Sequence, residues 1–135
     1  MAANPMRKVH LSIGLLTVIV FLISGQFMRH HQPPVELLSH EARLLLRSRH
    51  IYILASGLVN LTLGLYAEKL ADWRGVVQII GSGLLAVSPL FLIGAFILET
   101  PRRFQPEMWW SSLGLYALFG GCMLHLAASI GRKPV

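Results

Sequence analysis

The sequence has few charged residues. Only 13% of its 135 residues are Asp, Glu, Lys or Arg, whereas 54% are hydrophobic. A soluble domain has about 25% charged residues, and a small soluble fold has more surface to cover with polar groups, not less. The composition therefore excludes an ordinary soluble domain and indicates a protein whose solvent is lipid.

Cysteine and the motifs of common enzyme classes are also scarce or absent. The single cysteine, Cys122, lies in an apolar run, which excludes an internal disulfide and a cysteine-based metal site. The sequence contains no glycine-rich phosphate loop, no Ser-x-x-Lys and no His-Glu-x-x-His motif. Hydrolysis and phosphoryl transfer are therefore not expected. The sequence leaves enzymatic activity open and favours a non-enzymatic role.

The net charge of +6 raises the question of a nucleic-acid partner. The cations stand at the ends of apolar runs instead of forming one continuous face. Flanking cations of this kind anchor helices at lipid headgroups. We therefore expect the lipid bilayer, and not nucleic acid, as the partner.

Four apolar segments are each long enough to form a membrane-spanning helix. A helix rises 1.5 Å per residue, so about 20 residues cross a bilayer. We place the spans at 9–28, 50–67, 76–98 and 109–130. Trp and Tyr residues lie near their ends, as in the aromatic belts of membrane proteins. Residues 1–135 are therefore predicted to form a single all-α transmembrane domain, with four helices in an antiparallel bundle.

The connection between the first two predicted spans contains an amphipathic segment, "VELLSHEARLLLR". Its polar and apolar side chains separate at the helical period, which predicts an interfacial helix over residues 34–47. Glu41 breaks the pattern because it falls among the leucines. We predict that Glu41 is buried and pairs with Arg29 or Arg49, and a role in proton relay is the alternative.

The second predicted span has a stripe of small and polar residues. His50, Gly57 and Gly64 share one face, and Asn60 lies near the middle of the span. An amide in lipid must form hydrogen bonds to another helix, so Asn60 is predicted to be a buried polar residue. His50 stands at the start of this stripe and is a candidate metal ligand.

Two histidines in different spans form a candidate cofactor site. His10 and His125 each have a glycine four residues away, Gly14 and Gly121, on the same helical face. Two imidazoles from different helices can ligate a b-type haem, with the glycines leaving room for the porphyrin edge. The alternative is that both rings lie at headgroup level and bond to the backbone or to lipid phosphate.

Each ligating histidine would also need a hydrogen-bond acceptor for its other ring nitrogen. The nearest candidates along the chain are Ser12 for His10 and Ser129 for His125.

The Lys and Arg residues on each side of the predicted topology bear on its orientation in the membrane. The 12 Lys and Arg residues divide equally between the two sides of the predicted topology. The first span usually dominates, and Arg7 and Lys8 precede it, so both termini are predicted to be cytoplasmic.

At the residues "SGQFMR", "RSRHIYILASGLVNLTLGLY" and "HLAAS", the chain resembles small four-helix integral membrane proteins of bacteria. The resemblance covers most of the chain and implies a four-helix bundle in the bacterial inner membrane, but it implies no activity. A weaker similarity to b-type cytochrome membrane subunits rests on the histidines near the helix ends.

Two classes of function follow. The first is a non-enzymatic accessory or assembly subunit of the bacterial plasma membrane, with another membrane protein or a second copy of the chain as its partner. The second is an electron-transfer protein whose b-type haem is ligated by His10 and His125.

Overall fold

The computed structural model describes residues 5–30, 33–99 and 108–130. These residues form four α-helices and one 3-10 helix, with no strand among them. The α-helices are α1 (Pro5–Arg29), α2 (His40–Tyr66), α3 (Asp72–Leu98) and α4 (Trp109–Ser129). The all-helical prediction is confirmed for this part of the chain. The predicted single domain also includes residues 1–4, 31–32, 100–107 and 131–135, which lie outside the described residues.

Three helices, α1, α3 and α4, are long and apolar enough to cross a membrane. Large apolar side chains are exposed on all four helices, among them Leu16, Leu58, Leu90 and Phe119. Such an apolar surface is unfavourable in water and matches a lipid solvent. Length and composition thus support a multi-pass membrane protein.

Helix α2 differs from the prediction because it combines two predicted elements. The interfacial helix over residues 34–47 is not formed as a separate element, since only a short 3-10 helix, Val35–Leu37, precedes α2. Ser39 caps α2 by accepting a hydrogen bond from the backbone N–H of Ala42. The sequence has no proline between residues 40 and 66, so nothing interrupts the backbone hydrogen bonds of one continuous helix.

The helices pack as two pairs. Helix α1 packs mainly on α2 and α3 mainly on α4, and contacts between α2 and α3 join the pairs. Along the first pair, Arg7 Nε donates to the carbonyl of Gly64 (3.0 Å), and Ser24 hydrogen bonds with His50 (2.9 Å). Residue numbers therefore rise along α1 as those of its partners fall along α2.

Glycines make the closest approaches in both pairs. A Cβ atom built at Gly14 would lie 2.6 Å from the backbone nitrogen of Leu61. A Cβ atom at Gly121 would lie 2.9 Å from the carbonyl oxygen of Gly81. A side chain at either position would therefore push neighbouring helices apart.

Candidate functional site

Two buried polar clusters lie between the helices. The histidine cluster consists of two hydrogen-bonded pairs, His10 with Asn60 and Ser82 with His125, and has one residue from each α-helix. The ion-pair cluster consists of Arg49, Glu99 and Ser111. Buried polar groups within a membrane bundle are expensive and mark its functional or structural centres, so both clusters are candidate sites.

Asn60 is the centre of the histidine cluster and is fully buried, as predicted, with 0% of its surface exposed. Its side-chain Nδ2 donates to the carbonyl oxygens of Ser56, on its own helix, and of Leu85, on α3, each at 2.9 Å. Both acceptors are carbonyls, so the nitrogen of the amide must face them. The amide oxygen therefore points toward α1.

The carbonyl of Leu85 is available because of Pro89. In a regular helix this carbonyl would accept a hydrogen bond from the N–H of the residue four positions later, which here is a proline with no N–H. Asn60 and the hydroxyl of Ser88 (3.1 Å) donate to it instead. The proline in α3 and the asparagine in α2 thus form one interhelical contact, and α3 continues through Pro89 without a break.

The amide oxygen of Asn60 determines the tautomer of His10. His10 is 1% exposed, and its Nδ1 lies 2.7 Å from Asn60 Oδ1. Because Oδ1 can only accept, the proton of this hydrogen bond is on Nδ1 of His10. In the neutral ring the lone pair is then on Nε2, which is buried and has no hydrogen-bond partner among the described residues. His10 is thus buried, and not at a solvated helix end, because α1 begins five residues earlier, at Pro5.

His125 contributes the second imidazole of the histidine cluster. Its Nε2 hydrogen bonds with the hydroxyl of Ser82 (3.1 Å), and its ring packs on the backbone of Gly81. His125 is thus held by α3, whereas His10 is held by Asn60 on α2.

The hydrogen-bond partners of the two rings differ from those predicted. Ser12 is exposed, and Ser129 donates to the backbone carbonyl of His125 instead of contacting its ring. Asn60 and Ser82, on neighbouring helices, take these places. Sequence spacing identifies only neighbours on the same helix, so it could not identify these partners.

The glycines of the predicted haem site do not form a cavity. The space beside Gly14 is filled by the backbone of Leu61 and the carbonyl of Gly57, and the space beside Gly121 by Leu85 and the backbone of Gly81. This corrects the expectation that Gly14 and Gly121 leave room for a porphyrin edge. The described residues also contain no group of three or more His, Cys, Asp or Glu side chains that could hold a metal ion.

The ion-pair cluster joins α2 to the end of α3 and the start of α4. Arg49 Nη2 lies 3.1 Å from Glu99 Oε2, and the two side chains are 4% and 8% exposed. Arg49 also donates to the backbone carbonyl of Glu99 and, at 3.3 Å, to the hydroxyl of Ser111. Glu99 accepts from the backbone N–H groups of Trp110 (2.7 Å) and Ser111 (3.3 Å). It therefore caps α4, whose own N-cap residue provides no side-chain bond.

This pairing corrects the prediction for Glu41. Glu41 is exposed in the first turn of α2, and the buried partner of Arg49 is Glu99. A carboxylate in a first turn is favoured by the helix dipole and requires no cation. The sequence did contain a signal for the observed pair, because Arg49 and Glu99 stand at ends of predicted spans that meet the same membrane surface.

The ring of His50 packs against α1. Its ring stacks on Phe21 with centroids 4.1 Å apart, and its Nδ1 hydrogen bonds with Ser24 (2.9 Å). Within the described residues His50 belongs to no cluster of three potential ligands. Its contacts are those of a packing residue between α1 and α2.

Comparison with known proteins provides no relative. The chain matches no protein-family model, and neither a curated protein nor a solved structure shows significant similarity to it.

Proposed function

We propose that the chain crosses the bacterial plasma membrane four times as an antiparallel bundle, with both termini in the cytoplasm. We further propose that it acts there as a non-enzymatic accessory or assembly subunit. The observation that carries the proposal is that the buried polar groups bond one helix to another. Asn60 binds α1 and α3, and Arg49 and Glu99 join α2, α3 and α4, so these groups hold helices together.

The arrangement of α2 supports a fourth span, although its charged first half lowers its hydropathy. Two polar residues in its second half, Ser56 and Asn60, are buried. Ile51, Leu58 and Leu65 are exposed on the outer surface of the same helix. A helix with this distribution presents apolar side chains to lipid and satisfies its polar groups inside the bundle.

The outer surface supports a role in binding another membrane protein or a second copy of the chain. Gly83 on α3 is exposed, and a Cβ atom there would meet nothing within 4 Å. Tyr116 and Phe119 are 76% and 68% exposed on α4. Small residues permit close approach of a helix in lipid, and aromatic side chains supply contact area.

Topology reporters test the number of spans. Fusions at the N-terminus, in the three connections and at the C-terminus, read in a bacterial inner membrane, should alternate between sides and place both termini in the cytoplasm. Termini on opposite sides would show that one helix, with α2 the first candidate, does not cross.

Photo-crosslinking in native membranes tests the accessory role. A crosslinking amino acid at Gly83 or Tyr116, on the exposed surface, should produce one defined adduct, and the same residue at buried Ile53 should produce none. Deletion of the protein should then shift the partner complex on a native gel. A chain that remains monomeric and forms no adduct contradicts the proposal.

The alternative function is electron transfer through a b-type haem held by His10 and His125. The buried Nε2 of His10, which has no hydrogen-bond partner among the described residues, is the observation in its favour. Haem binding would require the helices to separate at Gly14 and Gly121, where they now touch. A sharp Soret band that is lost in His10→Ala or His125→Ala supports this alternative. A colourless preparation from which acid acetone extracts no haem excludes it.

A further inference from the structure

The first turns of α2 carry three basic side chains, His40, Arg43 and Arg47, which form the basic cluster. They recur at about one helical turn and therefore lie within roughly 60° of one another around the helix axis. Nη2 of Arg43 donates to Nδ1 of His40 across 3.5 Å, which places the proton of the neutral ring on Nε2. The cluster thus presents hydrogen-bond donors on one side of the helix.

The arginines of the basic cluster form no ion pair with a described carboxylate. Glu41, on the same helix end, is two residues from Arg43 and therefore points about 160° away from it. Glu36, the other acidic residue near this helix end, lies in the 3-10 helix before α2 and is exposed. The guanidinium groups thus keep donors available for an anion.

Helix α1 adds a further cation at this end of the bundle. A Cβ atom at Gly25 would lie 3.3 Å from the ring of His50, so these two residues face each other. Residue numbers run in opposite directions along the two helices, so Arg29, one turn onward along α1, reaches the level of Arg47, about one turn back along α2. Arg29 is exposed and brings a third guanidinium group to this level.

The basic cluster stands directly at the end of an apolar stripe on the outer side of α2. Ile51, Leu58 and Leu65 are exposed and lie within roughly 40° of Arg47 around the helix axis. Arg47 is one turn, about 6 Å, beyond Ile51. A phospholipid whose acyl chains lie against this stripe would therefore place its phosphate at the level of the arginines.

The charge of the headgroup decides which phospholipid fits. Guanidinium groups bind phosphate oxygens through paired hydrogen bonds. In a zwitterionic headgroup the ammonium group offsets the phosphate charge and is repelled by the same arginines. An anionic headgroup has no ammonium group, and each basic residue near the surface favours it by about five-fold in affinity.

We propose that the basic cluster, together with Arg29, binds the headgroup of an anionic phospholipid whose acyl chains lie along the exposed stripe of α2. The proposal rests on the placement of α2 as a membrane span, and not on the accessory role. The two fail in different experiments. Topology reporters detect an α2 that does not cross, whereas the selectivity for a lipid is measured on the purified chain.

Native mass spectrometry of the full-length chain, released from mixed micelles of detergent and lipid, measures the lipid that is retained. From an equimolar mixture of phosphatidylglycerol and phosphatidylcholine with the same acyl chains, we expect one phosphatidylglycerol per chain. Arg43→Gln/Arg47→Gln should lower its affinity by about five-fold for each arginine removed and leave phosphatidylcholine unchanged. The matched control is Lys69→Gln/Arg74→Gln, which removes the same charge at the opposite end of α2 and should retain the lipid.

Photolabelling of the unmodified chain protects the test against a variant that fails to fold. Phosphatidylglycerol with a diazirine near the start of one acyl chain should label α2 between Leu44 and Ile51, which are both exposed. Unlabelled phosphatidylglycerol should compete with this labelling, and phosphatidylcholine should not.

Three results would each overturn the proposal: equal retention of the two lipids by the unmodified chain, an equal loss in the control variant, or labelling confined to other helices. Glycerol 3-phosphate, which has the phosphate without acyl chains, should not displace the lipid. Displacement would show a site for free phosphate and would also overturn the assignment to a lipid.

Discussion

The two buried polar clusters join helices by different physical means. The histidine cluster uses an amide, a hydroxyl and two imidazoles, beside glycines that bring helix backbones into contact. The ion-pair cluster uses full charges, and its carboxylate also caps a helix. The ion pair leaves a buried charge without a counter-charge when either partner is removed, whereas the histidine cluster already contains one buried nitrogen, Nε2 of His10, with no partner among the described residues.

The difference has an energetic consequence. Interhelical hydrogen bonds between neutral groups in membranes contribute about 0.6 kcal/mol on average and up to about 1.7 kcal/mol. Removal of one partner of a buried ion pair costs about 3–5 kcal/mol, because the remaining charge stays buried without compensation. A single substitution should therefore lower the free energy of unfolding most in the ion-pair cluster.

The largest effect is expected for Glu99→Ala. The substitution leaves Arg49 buried without its carboxylate and removes the cap of α4, so the free energy of unfolding should fall by about 3–5 kcal/mol. Unfolding by SDS titration in mixed micelles measures this change. The exposed Glu36→Ala is the control, and the double variant Arg49→Met/Glu99→Leu should recover part of the loss. A loss equal to that of Glu36→Ala would contradict the buried pair.

A smaller loss is expected for Gly14→Ala at the other cluster. The new Cβ would meet the backbone of Leu61 and of Gly57, which cannot move independently of α2, so the free energy of unfolding should fall by about 1–3 kcal/mol. Gly83→Ala is the matched control, because its Cβ would meet nothing within 4 Å and alanine favours the helix. If the two variants have the same stability, α1 and α2 do not approach as closely as described.

Asn60→Ala should lower the free energy of unfolding by about 1–2 kcal/mol, because it removes the hydrogen bonds to α1 and α3. Thr62→Ala, which removes one exposed bond within α2, serves as the control. A double-mutant cycle with Pro89 tests the hydrogen bond from Asn60 to the carbonyl of Leu85. Pro89→Ala supplies an N–H for the carbonyl of Leu85, so it should cost less stability in the Asn60→Ala chain than in the unmodified chain. Additive losses would show that Asn60 and Pro89 are independent.

The smallest effect is expected for Glu41→Gln. The side chain is exposed in the first turn of α2, so the free energy of unfolding should change by less than about 0.5 kcal/mol. The same SDS titration measures it. A loss of stability close to that of Glu99→Ala would show that Glu41 is a buried, paired carboxylate.

Much of the histidine cluster was predictable, and little of the ion-pair cluster was. An amide in the middle of an apolar segment must be bonded inside the bundle, so Asn60 could be identified without knowing its partners. His10 and His125 stood out because each shares a helical face with small residues. Glu99 was missed because it follows an apolar run directly and is indistinguishable, by spacing alone, from a solvated residue of a polar turn.

The sequence by itself determined the all-helical structure and the apolar character of α1, α3 and α4, because backbone hydrogen bonds and hydrophobic length are properties of contiguous residues. Only the tertiary structure decided that Arg49 pairs with Glu99 and that Asn60 donates to the carbonyl left free by Pro89. It also decided that neighbouring helices occupy the space beside the glycines. Each of these depends on the rotation of one helix against another. That rotation is set by many weak contacts between residues far apart in the chain, which no local pattern records.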